Sequence, residues 1–344
     1  MHMADALISP AVGGTMWAAA AGLTVYSARK LKADLDDRKV PLMGVLGAFI
    51  FAAQMVNFTI PATGSSGHLG GGMILAILLG PYSAFLVMAS VLTVQALFFA
   101  DGGLLALGCN IFNLGFFPCF IAYPFIYQKI VGREPTQGRL VAGSLAAAMV
   151  GLQLGAFGVV LETLASGLVD LPFATFALLM QPIHLAIGLV EGLVTAAVVT
   201  FVWKARPEIL EMAPPAPGAA SRSLKPVLLG LVALAVFTGG LLSWLASTHP
   251  DGLEWALNGV TGKAALEAPR EGTQGSLAAL QEKLSLLPDY DFKGSEGEKA
   301  AGQAESWPDV SPGKSLAGLI GGAITLLLAG AIGLGLRKYA LRKN

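Results

Sequence analysis

The sequence predicts an all-α polytopic membrane protein: a seven-span helical bundle followed by a two-span C-terminal module with an extracytoplasmic loop. Three observations predict it. Of the 344 residues, 54% are hydrophobic and 13% charged, with a mean hydropathy of +0.67, whereas soluble proteins carry about a quarter charged residues. Nine apolar runs are long enough, with some shorter exceptions, to cross about 30 Å of hydrocarbon. Basic residues gather in alternate connections.

In order, the spans are predicted at 11 to 28, 40 to 58, 69 to 79, 82 to 99, 104 to 127, 139 to 161, 174 to 203, 226 to 247 and 316 to 336. The third is short and meets the fourth at Gly80-Pro81, a breaker pair that reads as a tight turn at one membrane face. Merging the two would reverse every later orientation, and the charges argue against it. Arg29, Lys30, Lys32, Arg38 and Lys39 follow the first span and place that loop in the cytoplasm. With the third and fourth spans separate, Lys129, Arg133 and Arg139, then Lys204, Arg206, Arg222 and Lys225, and finally RKYALRKN fall on the same side. The N-terminus and the loop containing His68 then lie outside and the C-terminus inside. No basic n-region or cleavage site precedes the first span, so Met1 is expected to be retained.

The predicted domains are a metal-binding bundle at 1–205, a Pro- and Ala-rich cytoplasmic linker at 206–225, and a module at 226–344 whose two spans bracket an outer loop at 248–314. That loop holds 11 acidic against 6 basic residues, so it is expected to have little core of its own and to attract cations loosely or lie over the bundle.

The chemistry starts at Met1-His2. A free Met1 amine, the backbone nitrogen of His2 and the His2 imidazole can close two fused chelate rings on one ion, and His68 in GSSGHLGGG can fill the remaining planar position. Such a sulfur-free planar set favours Ni(II) or Cu(II), with Co(II) tolerable. The glycines let the His68 backbone approach closely. Cys109 and Cys119 share one apolar segment and carry no disulfide or metal motif.

Other candidates surround this set. Asp5 can orient the chelate or neutralise its charge. Asn110 and Asn113 share a helix face and either tie helices together or hold the His68 ring; Gln95, Asn57 and Gln153 are weaker instances. His184 and Glu191, seven apart within a span, can support the metal loop, pack against a partner or pair with neighbouring polar groups. His184 is expected nearer mid-membrane than to the proposed site. Gly13, Gly14, Ala18 to Ala21 and Gly22 allow close helix approach, within the bundle or towards a partner. PGKS at 312 to 315 imitates the end of a phosphate loop, but Pro308 stands where its first glycine belongs. No nucleotide site is expected on this chain and no enzyme activity: there is no HExxH, no nucleophile elbow and no pair of catalytic carboxylates within a span. No nucleic-acid partner is expected either, whereas contact with membrane lipid is.

The start MHMADALISP, the stretch from GHLGGGMILAILLG to GCNIFNLG, and HLAIGLVEGLVTAAV resemble the CbiM/NikM family, the substrate-specific membrane components of energy-coupling factor ABC transporters for cobalt and nickel. The tail resembles the companion NikN subunit, with PDGLE at 250 to 254 as its signature. The resemblance implies metal ligation by Met1, His2 and His68. It also implies a prokaryotic plasma-membrane location and two kinds of partner: a CbiQ/NikQ-like transmembrane coupling protein and CbiO/NikO-like cytoplasmic ATPases. The expected function is capture of Ni2+ or Co2+ from outside for an ATP-driven importer. The alternatives are a proton-coupled carrier using His184 and Glu191 as a relay, and a metal sensor.

Overall fold

The computed structural model describes residues 2–31, 39–210, 223–266, 268–269, 271–293 and 307–341. Met1, Lys32, Arg38, Arg222, most of the 206–225 linker and the last three residues of RKYALRKN, all invoked above, lie outside the described residues.

The chain enters through an arm, residues 2–9, in which Met3 and Asp5 to Ile8 are buried and Ala4 is exposed, with a 3-10 turn at Asp5–Leu7. Helix α1 (Pro10–Leu31) follows, with proline at its first turn, where a missing N–H costs nothing. Its Gly13 packs against Leu105, while Gly14 and Gly22 face open space. Helix α2 (Lys39–Gln54) is apolar on every face, and all of it except Lys39 and Pro41 is buried, as such a helix must be.

A hairpin then departs from the all-α expectation: β1 (Phe58–Ile60) pairs antiparallel with β2 (Ser65–Gly67), Phe58 opposite Gly67. Its turn uses positive φ at Ala62 and Gly64. Helix α3 (Gly72–Leu79) is wholly buried and has eight residues, about 12 Å at 1.5 Å per residue. It cannot cross a bilayer alone, so the third predicted span is a half-helix. The glycine backbone preceding it is buried in protein, where irregular chain is tolerated.

Gly80 breaks the helix and Pro81 starts α4 (Pro81–Phe99). Helix α5 (Leu107–Val131) widens into π-helical turns over Phe112–Tyr127, a stretch holding Pro118 and Pro124, which cannot donate backbone bonds. Helices α6 (Gln137–Ser166) and α7 (Phe173–Ala205) form a close pair, with Gly188 and Gly192 facing the backbone of Met149 and Leu145. Helices α8 (Lys225–Gly240) and α11 (Pro312–Leu341) flank the tail's loop, which folds into α9 (Gly252–Thr261) and α10 (Gly272–Leu284).

Among the described residues, five helices are long and apolar enough to cross a membrane: α4, α5, α6, α7 and α11. Helices α2 and α8 are apolar with 16 residues each. The chain is mostly helical, with little sheet.

The tail is built into the bundle. Gly44 of α2 meets the carbonyl of Leu326, the Phe51 ring occupies the space a side chain at Gly321 would need, and α8 crosses α11 at Gly239 and Gly318. Its loop lies over one end of the bundle, one of the two placements expected for it. Ser66 N donates to Pro250 O (2.8 Å), Trp255 Nε1 to Thr63 O (2.9 Å), and Leu286 N to Phe98 O (2.8 Å).

Candidate metal centre

The arm, the hairpin, the loop after α4 and the tail's loop all meet at that end. The arm is fixed by its own backbone. Met3 N donates to Asn110 Oδ1 (2.8 Å), and Met3 O accepts from Asn110 Nδ2 (3.2 Å) and Gly103 N (2.9 Å). Asp5 Oδ1 accepts from Ala106 N (3.0 Å) and fills the space beside Gly103. Burial raises the Asp5 carboxyl above its usual range, opposed by these backbone N–H bonds.

His2 is thereby delivered into the interior, its side chain 7% exposed. Its ring stacks on His68 with centroids 5.0 Å apart and planes 10° from parallel. His2 Nδ1 lies 3.2 Å from Asp101 Oδ1, Asp101 Oδ2 accepts from the Tyr290 hydroxyl (2.5 Å), and His2 Nε2 is buried without a hydrogen-bond partner.

His68 comes from the glycine loop. Its Nδ1 is 3.1 Å from Leu69 O, which favours the N–H at Nδ1 and leaves the lone pair on Nε2. The two N–H groups that follow, Gly70 and Gly71, each donate at 3.0 Å to one oxygen of Glu191. Gly70 O accepts from Gln54 Nε2 (2.8 Å), and Gln54 Oε1 from Gln95 Nε2 (2.9 Å). Gly71 has φ +77°, and a Cβ there would stand 2.7 Å from Ile50.

Burial lowers both imidazoles, His2 and His68, to about 3. Two neutral rings are therefore presented, the state that ligates metal. A cavity of about 360 Å³ leads past His2 and is lined by Asp5, Asp101, Asp251, Glu254 and Asp289, an acidic approach for a cation. Among the described residues, no three His, Cys, Asp or Glu side chains already converge as a metal cage.

Several sequence expectations change here. Asn110 holds the arm and not the His68 ring. Asn113 does not reach the site; its Nδ2 donates to Glu162 (2.7 Å), tying α5 to α6. Of the three roles open to Glu191, the contact present is with the backbone N–H groups of Gly70 and Gly71 in the loop that carries His68. His184 is not remote: it lines a small cavity with His68, Asp251 and Gly252, because the tail's loop descends onto α7. Asp101, Tyr290 and Asp251 were not singled out by sequence; the available signals were DGG at 101–103 and the aspartate of PDGLE.

The profile described as "Cobalt uptake substrate-specific transmembrane region", CbiM, matches residues 2–209. The chain belongs to the CbiM family. The PDGLE domain profile matches residues 225–338. This CbiM-family chain is 30% identical, over 99% of each chain, to an Archaeoglobus fulgidus protein bearing the name NikMN. It is 32% identical to the fused nickel transport protein NikMN of Rhodobacter capsulatus, covering 84% of this chain and 88% of the relative. The crystal structure of a truncated transition metal transporter superposes with a TM-score of 0.53 at 29% identity, covering 60% of this chain and 99% of that one. The chain is a multi-pass membrane protein of a transporter family.

Proposed function

We propose that this chain is the substrate-capture membrane component of an ATP-driven nickel or cobalt importer, working with a transmembrane coupling protein and cytoplasmic ATPases. The stacked His2–His68 pair, neutral and buried at the end of a fixed arm, is the observation that carries this reading. In this reading the bundle crosses seven times, its third crossing made jointly by the half-helix α3 and the buried glycine backbone ahead of it, and the tail crosses twice, with the site facing outward.

The ligands are the Met1 amine, the His2 amide nitrogen, the His2 imidazole and His68. A chelate ring that includes the His2 amide can close only through Nδ1 of the same residue, since Nε2 points away from its own backbone. Nδ1 is the nitrogen that Asp101 engages. The cation takes the place of the Nδ1 proton shared there, which moves to Nε2 of the same ring so that the imidazole stays neutral, and the carboxylate stays beside the cation to balance charge. Amine and amide must both lose a proton, so affinity falls with acidity, while imidazole protonation contributes only near pH 3. Planar nitrogen ligation favours nickel over cobalt. In the carrier reading, Glu191 would relay protons, but its two oxygens hold Gly70 and Gly71.

The test is Ni(II) and Co(II) titration of detergent-purified protein, comparing the native N-terminus with a form carrying one extra residue before Met1. Loss of tight binding in the extended form is expected. Equal binding by both forms would sink the amine chelate.

A further inference from the structure

Nε2 of His2 and Oε1 of Gln95 are both buried with no hydrogen-bond partner among the described residues. The Gln95 side chain, 0% exposed on α4, lies within hydrogen-bonding reach of the His2 ring. The orientation of its amide is fixed from the backbone. Gly70 O can only accept, so the atom of Gln54 that meets it is Nε2 (2.8 Å); Gln54 Oε1 is left to accept from Gln95 Nε2 (2.9 Å), and Oε1 is the atom of Gln95 left over. With His2 Nδ1 3.2 Å from Asp101 Oδ1, the ring's N–H sits at Nδ1 and Nε2 bears a lone pair. Ring and amide then offer each other an acceptor apiece, and no bond forms between them.

We propose that Gln95 is the positioning residue for the His2 ligand: its Oε1 accepts the N–H that the ring must carry at Nε2 once Nδ1 binds the cation. This rests on the capture reading above. A neutral imidazole has one N–H, and with Nδ1 on the metal it stands at Nε2, in a space shut to water, where an unmatched donor is costly. Gln95 Oε1 is the acceptor at hand. A ligating histidine usually bonds its second nitrogen in this way, which fixes the ring and raises its basicity. The ring's proton count does not change, since one proton leaves Nδ1 and one binds Nε2. Two atoms left unmatched in one tautomer are matched in the other, so Gln95 favours the tautomer that ligates. The bonds then run in one direction, from His2 Nε2 to Gln95, from Gln95 to Gln54 and from Gln54 to Gly70 O, and bonds in such a chain strengthen one another. The His2 ring and the His68 loop are thereby joined through protein as well as through the ion.

The test is Ni(II) titration of the detergent-purified full chain. Gln95→Met keeps the length of the side chain and removes the acceptor, and affinity about 10- to 100-fold lower is expected. Gln95→Glu keeps an acceptor beside the ring while losing the N–H donor to Gln54, and is expected to bind at least about fivefold tighter than Gln95→Met. If Gln95 serves only to tie α4 to Gln54, the two variants lose affinity alike; that outcome overturns the proposal, as does Gln95→Met binding within about twofold of the unaltered chain. NMR of protein labelled with 15N-histidine gives a second reading, because a planar Ni(II) centre is diamagnetic. Saturating nickel is expected to bring up one further imidazole N–H, on an Nε2 nitrogen and protected from exchange with water, and in Gln95→Met this proton is lost or exchanges at least about tenfold faster. No such proton in the unaltered chain, or equal protection in both, overturns the proposal. One extra residue before Met1 separates the two failures. Should the extended form bind nickel as tightly as the native one, the amine chelate fails, and the protected Nε2 proton still decides the bond to Gln95.

Discussion

His2 and His68 meet ring to ring, yet the segments that carry them are held in opposite ways. The His68 loop is locked within the bundle: Glu191 binds two consecutive N–H groups, Gln54 binds the carbonyl between them, and glycines at 67, 71 and 72 lie where side chains would strike Ile187, Ile50 and Leu114. The His2 arm is held by side-chain contacts, from Asn110 of α5 to Met3 and from Gln274 of α10 to the carbonyls of Asp5 and Ile8. The proposed ligand His68 sits on backbone held from two sides, by Glu191 and by Gln54. The other is docked by hooks that can let go. A site assembled this way can close on an ion without losing the means to open.

Breaking the lock has the largest expected effect. Glu191→Ala leaves Gly70 N and Gly71 N buried without acceptors and costs about 2–6 kcal/mol, about 1–3 for each unsatisfied group. Thermal unfolding in detergent is expected to drop accordingly, and Ni(II) affinity by at least 100-fold. Glu191→Gln, which keeps one acceptor, is expected to lose about half as much. If Glu191→Ala binds nickel normally, the loop is not organised by α7.

Gly71→Ala comes next. Its φ of +77° disfavours any side chain, and the Cβ would press on Ile50 at 2.7 Å. Strain of about 1–3 kcal/mol is expected, read as weaker Ni(II) binding with an unchanged spectrum of whatever chelate still forms. Asn110→Ala tests the docked arm. Removing it costs about 1–3 kcal/mol, because Met3 N is left buried and unbonded. Unlike Gly71→Ala, it is expected to act mainly on the rate of metal release, since a loosened arm opens more often.

Much of this division was written locally. Apolar runs mark the helices, and the histidine, its glycines and the N-terminal His2 stand out as residue types. What the sequence hides is pairing across distance. Tyr290 reaches Asp101 over 189 positions, and nothing local in either segment encodes that. His184 shares a cavity wall with Asp251 and Gly252 only because the PDGLE segment folds back over α7. The hairpin escaped because three-residue strands are too short to show alternation. The third span misleads because eight apolar residues buried by protein look like eight residues buried by lipid.

The smallest expected effect concerns α10. Gln274 Nε2 donates to Asp5 O (3.2 Å) and Ile8 O (3.0 Å), and Gln281 Nε2 to Ala96 O (2.9 Å) and Gly102 O (2.7 Å). One glutamine clamps the arm and the other the loop that bears Asp101. Each neutral pair contributes about 1 kcal/mol net, so Gln274→Ala or Gln281→Ala alone is expected to weaken Ni(II) binding about fivefold. The two clamps act on different segments of one pocket, and the double variant decides how they are related. Simple additivity, about 25-fold, means the arm and the Asp101 loop dock independently. A double variant no worse than either single one means that α10 lifts as a unit once either glutamine is gone, which would make this helix the element whose movement frees the arm.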